Sequence, residues 1–97
     1  MTVAILSPQA ESDLEDIGDY IAQDSPARAV QFIERLRHKG REIARHPELY
    51  RLRPELGRGR RGCPVGSYVI FFRKIGPQAI LIERILHAAR DIDADDF

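Results

Sequence analysis

The pair Ser-Pro occurs twice, at Ser7-Pro8 and Ser25-Pro26. Serine is a favoured residue just before a helix, and proline is favoured at its first position, where the missing N–H removes nothing. Two helix starts separated by one helix length leave room for only a few linking residues, so the chain is expected to fold back on itself as an antiparallel helix hairpin. In the first helix Ala10, Leu14, Ile17 and Ile21 recur at spacings of four, three and four, forming one narrow apolar stripe opposite Glu15, Asp16 and Asp19. The second helix runs to Arg45 or His46, ahead of Pro47. Its inner stripe reads Val30, Ile33, Leu36 or Arg37, Gly40 and Ile43-Ala44, with Phe32 beside it. A glycine at inner position 40 implies close approach of another backbone.

Around this hairpin the period changes to that of strands. Thr2–Leu6 reads as a short buried strand. After an irregular stretch rich in Pro and Gly, three runs follow: Arg60–Cys63, Tyr68–Lys74 and Ala79–Leu86. Pro64–Ser67 and Gly76-Pro77 turn between them, giving an antiparallel meander. The expected fold is α+β, with an N-terminal strand, a helix hairpin and a three-stranded meander. Both helices lie on one face of the sheet. Ninety-seven residues make one domain, 1–97, with a thin core. The tail from His87 carries four Asp and offers only Ile92 and Phe97 for packing.

Charge is segregated although it sums to zero. Residues 1–24 hold six acids and no Lys or Arg, whereas residues 25–73 hold twelve Lys/Arg against four acids. A basic middle favours an acidic partner through its local field; the alternative is mutual pairing of the acidic first helix with the basic second. Arg58, Arg60 and Arg61 alternate with Gly57, Gly59 and Gly62, which reads as a mobile basic segment able to dock carboxylates. No GK[ST] follows, so this is not a phosphate-binding P-loop. Only Tyr68 could stack on a single-stranded base, and direct nucleic-acid binding is not expected. Cys63 is the lone cysteine, and His38 and His46 stand eight residues apart rather than four. No metal or other cofactor is expected. No run is long enough to span a membrane, and the acidic start lacks a signal-peptide pattern, so a cytoplasmic setting is expected.

LSPQAESDLEDIGDYIA (6–22), IARHPELY (43–50), RRGCPVGSYVIFFR (60–73) and IERILHAARD (82–91), in this order and spacing, resemble the RelE/ParE toxin superfamily of bacterial toxin–antitoxin systems. ILHAARD resembles the ParE-like branch. That resemblance implies a type II toxin which inhibits DNA gyrase by binding. It also implies neutralisation by a cognate, ParD-like antitoxin with an acidic tail. The RelE-like alternative is a ribosome-dependent mRNA endonuclease using Arg61, Arg73, Arg84 and His87. A RelE-like nuclease usually supplies several basic residues, including lysines, and a late tyrosine; here lysine occurs only at 39 and 74, and no tyrosine follows Tyr68. A third reading is a toxin-like fold that persists only as a partner in a complex. For the binding reading, the antitoxin surface is expected at Tyr20, Arg28, Phe32, Arg35, Ile43 and Arg53, extending to Arg58, Arg60, Arg61, Arg73 and Arg84. An apolar helix would lie in the groove and acids on the arginines.

Overall fold

A computed structural model describes all residues, Met1–Phe97. Strand β1 (Val3–Leu6) leads into α1 (Pro8–Ala22) and α2 (Pro26–Arg45); β2 (Arg51–Leu52), β3 (Arg61–Val65), β4 (Tyr68–Gly76) and β5 (Ala79–His87) follow. Both Ser-Pro pairs start helices as expected. Ser7 accepts the Ala10 N–H at 3.0 Å and Ser25 accepts the Arg28 N–H at 3.2 Å. Ser7 Oγ also donates to the Glu83 carbonyl at 2.7 Å, so the first cap ties α1 to β5.

The five strands run in the order β1-β5-β4-β3-β2. β1 is parallel to β5; the remaining neighbours are antiparallel. β1 is therefore an edge strand. Val3 and Ile5 are nearly half exposed, which corrects the expectation of a buried strand. The two-residue β2 pairs with β3 inside the stretch expected to be irregular.

The helix pair covers one face of the sheet. Ala10, Leu14 and Ile17 of α1 meet Leu36, Ile43 and Ala44 of α2, and all of them meet Ile70, Phe72, Ile80, Ile82 and Ile85. Val30 is not part of the inner stripe: it is 65% exposed, and Ala29 is buried instead. Gly40 is buried where expected, but its close neighbour is a side chain rather than a backbone. A Cβ there would lie 2.9 Å from Ile82 Cδ1.

The opposite face carries a second, smaller core. Leu56, Val69, Phe71 and Leu86 pack under Ile92 and Phe97 of the tail, so the thin core expected of a chain this short is built on both faces of the sheet. The tail is held by a capping box at Asp93 and by the Phe97 ring edge-on to Phe71, with centroids 5.4 Å apart.

Candidate functional site

Three of the cationic side chains singled out in the sequence, Arg60, Arg61 and Arg84, are turned back onto the fold. Arg60 makes a two-pronged pair with Glu83, Nε to Oε1 at 2.8 Å and Nη2 to Oε2 at 3.1 Å. It also donates to the Leu56 carbonyl, and its guanidinium lies 4.3 Å from the centre of the Phe97 ring. Arg73 Nε approaches Oε2 of the same carboxylate at 3.4 Å. Burial pushes the Glu83 carboxyl up. The Arg60 hydrogen bonds and the Arg60 and Arg73 charges outweigh it, so the net shift is below the ordinary carboxylate range.

Arg84 is fixed in the same way from the other side. Its Nε and Nη2 each reach Asp13 at 2.9 Å, and Nη1 donates to the Asp96 carbonyl at 2.7 Å. Asp13 also accepts the Ile85 N–H at 2.9 Å. This one carboxylate thus fastens α1 to β5. Its hydrogen bonds hold Arg84 even more firmly protonated than usual. Asp13 is only 9% exposed, so it is not one of the solvating acids of the first helix. Its position is its signal. It stands three residues after Ala10 and four before Ile17, within the inner stripe, and a carboxylate on that stripe requires a cation.

Arg61 donates to the Tyr50 carbonyl at 2.7 Å, and Arg53 pairs with Glu55 at 2.8 Å. The segment 57–62 is therefore pinned through Arg60 and Arg61 and is not the mobile loop that its glycines suggested. Ile43 is fully buried and cannot face a partner directly, which corrects its assignment to the antitoxin surface.

The four residues of the nuclease alternative do not all meet: Arg61 and Arg73 share one recess, but Arg84 and His87 stand apart from it. Tyr68 pairs with His87 across the strands, whereas Arg73 pairs with Leu81. Five residues along β4 separate them by about 17 Å. Arg61 is at Tyr50, Arg73 at Glu83 and Arg84 at Asp13. His87 accepts the Ala89 N–H through Nδ1 at 3.1 Å and stacks edge-on against Tyr68, with centroids 5.2 Å apart. Burial raises the Tyr68 phenol above its ordinary pKa, making it a weaker acid.

An apolar groove instead gathers Tyr20, Ile21, Phe32, Gly66, Ser67, Tyr68 and His87. Tyr20 is 68% exposed at its rim. Phe32 lies on Tyr68 at 5.7 Å between ring centres. A shallower continuation runs over Ile21, Phe32 and Gln31 to Arg28 and Arg35. Arg28 is exposed, and Arg35 is exposed with its guanidinium 6.0 Å from the Phe32 ring centre. Of the residues expected to contact a partner, the structure gathers Tyr20, Arg28, Phe32 and Arg35 here. No three His, Cys, Asp or Glu side chains come together as a metal-ligand set. No helix is long and apolar enough to cross a membrane.

A family model described as the ParE toxin of a type II toxin–antitoxin system, parDE, matches residues 4–92. Toxin ParE1 of Mycobacterium tuberculosis is 32% identical over 90 residues, spanning 92% of each chain. Toxin ParE1 of Caulobacter vibrioides is 33% identical over a stretch of the same length, again 92% of each. The fold is similar to a solved structure described as the chromosomal ParDE TA system from P. aeruginosa. The TM-score is 0.75 at 22% identity, covering 90% of this chain and 96% of that one.

Proposed function

The chain belongs to the ParE toxins of type II toxin–antitoxin systems, and we propose that it acts by binding, as an inhibitor of DNA gyrase held inactive by a cognate antitoxin. One observation carries this reading over the endonuclease alternative. Of the residues that strand-scission chemistry would need, Arg73 and Arg84 are tied to carboxylates at Glu83 and Asp13, and His87, the one acid–base candidate, lies about 17 Å along β4 from Arg73. Cleavage of RNA needs a base, an acid and a clamp on the same phosphate. Here His87 faces a tyrosine, and none of Arg61, Arg73 and Arg84 lines its groove.

The groove supports the antitoxin half of the reading. Its walls are apolar and aromatic, its far end is basic, and a short acidic-flanked helix matches both. Acids of a ParD-like tail would meet Arg28 and Arg35 rather than Arg60 or Arg84. Such a partner would bury more than a standard interface of about 1,600 Å². The reaction setting is the cytoplasm, where gyrase works, and no cofactor takes part.

Purified protein added to a gyrase supercoiling assay should block supercoiling of relaxed plasmid, and the antitoxin should restore it. If gyrase is unaffected while mRNA on programmed ribosomes is cut, the endonuclease reading replaces this one. His87→Ala separates the two independently. It should leave growth inhibition largely intact in a binding toxin, whereas loss of an acid–base residue in a nuclease slows the reaction about 10²–10⁴-fold.

A further inference from the structure

Four cations come together on the surface, three of them outside every ion pair of the chain. Arg58, Arg61, Arg73 and Lys74 line one recess with Pro47, Glu48 and Gly59. Arg58 and Lys74 are exposed. Neither takes part in any of the chain's ion pairs. Arg61 is anchored through Nη1 to the Tyr50 carbonyl and, at 3.5 Å, to the Glu48 carbonyl; its other N–H groups are uncommitted. Arg73 shares Glu83 with Arg60 and is 43% exposed. The single acid, Glu48, directs its carboxylate to His46 at 3.8 Å. The charges of the recess are thus held close together with too little counter-charge, and an external anion relieves their repulsion.

We infer that this recess grips the phosphate backbone of nucleic acid, with duplex DNA as the ligand, because the lining offers no aromatic ring on which unpaired bases could stack. Its lining distinguishes a phosphate backbone from an acidic peptide. Apart from the buried Pro47 ring the recess has no apolar side chain, so a peptide would find charge but no aromatic or branched anchor of the kind that dominates protein interfaces. Phosphate contacts need only arginine and lysine and carry no base information. Gly59, at φ +76°, leaves the wall open, with no heavy atom within 4 Å of where a Cβ would stand. The position is also separate from the apolar groove. Lys74 pairs with Ile80 and Tyr68 with His87, which sets the two sites about 20 Å apart along β4. A protein in the groove and a duplex at the recess can be held at once. The expectation that nucleic acid is not bound followed from the lack of exposed rings on which bases could stack; a grip on phosphates needs none.

The full-length chain is titrated, without gyrase, into a labelled duplex of about 20 base pairs at about 50 mM salt, and into single-stranded RNA of equal length. Binding in the micromolar range is expected, with log K falling against log salt at a slope of about −3, as for three or four phosphates. Arg58→Ala combined with Lys74→Ala should weaken binding at least ~10-fold and make the slope shallower by about 2. Both side chains are exposed, so circular dichroism should be unchanged. Absence of binding by the wild type, or equal binding by the double variant, overturns the inference. So does equal competition by polyglutamate of matched charge, which would assign the recess to carboxylates. Tighter binding of RNA with the same sensitivity to the variant keeps the phosphate grip and overturns the choice of DNA. Because gyrase is absent, none of these outcomes depends on whether the protein inhibits it.

Discussion

The two faces of the sheet are closed by different physics. Under the helices lies a core of thirteen buried residues, all apolar, in which Phe72, Ile70 and Ile80 are fully sequestered. Under the tail, four apolar residues are closed over by Phe97 and Ile92, with Arg60 and Glu83 beside them. One face is held by area removed from water, which any apolar side chain of suitable volume can supply. The other depends on a few geometrically fixed ion pairs, whose partners cannot be removed singly without leaving a charge half-buried. That difference explains why arginines that look like a docking surface in the sequence serve the fold. A strand face with too little apolar cover uses guanidinium groups, with their long aliphatic stems and flat heads, as lids.

The comparison is broken most severely on the helix face. Phe72→Ala should cost about 3–5 kcal/mol in urea unfolding, the usual penalty for emptying a phenylalanine site that cannot collapse. A loss below about 1 kcal/mol would mean that the core relaxes far more than its packing implies. The link between the faces comes next. Asp13→Ala strands Arg84 and should cost about 3 kcal/mol, whereas Asp13→Leu with Arg84→Met should recover much of it. An equal cost for the single and double variants would show that apolar packing cannot replace this pair.

Acid should act on the tail face before the helix face. The Glu83 carboxyl titrates below its ordinary range in the folded chain. Between that lowered value and the ordinary one of about 4.3, the unfolded chain binds more protons, so stability is present above this window and is lost as pH falls through it. Glu83→Gln should flatten the dependence of stability on pH below about 4.5 while lowering stability at neutral pH. An unchanged acid profile would show that other carboxylates govern it. The smallest effect on stability is expected at the free cations. Arg58→Ala should move it by no more than about 0.5 kcal/mol. A larger loss in thermal unfolding would mean that Arg58 belongs with Arg60 to the fold.

The helix hairpin was legible because its signals are local. Ser7-Pro8 and Ser25-Pro26 set the starts, and the 3.6-residue stripe set the buried side. Val30 misled because one step around a helix is 100°, and the seam ran through Ala29 instead. The order of the last three strands was equally readable from their apolar runs and the turns between them. β1 was recognisable as a strand, but an apolar run cannot say whether it lies at the centre or the edge of a sheet. The identity of Asp13 as a buried residue was written in its place on the stripe; its partner was not.

The sequence by itself determined the elements, their caps and the segregation of charge, because these depend on residues within a few positions of one another. Only the tertiary structure decided which arginines are free. Arg84 meets Asp13 from 71 positions away, and Arg60 meets Glu83 from 23. Glycines flanking Arg58, Arg60 and Arg61 make all three look alike along the chain. Chain folding then brings a carboxylate to Arg60, a carbonyl to Arg61 and neither to Arg58. A side chain's charge is fixed by its chemistry, but its availability is fixed by what the fold brings within about 3 Å of it.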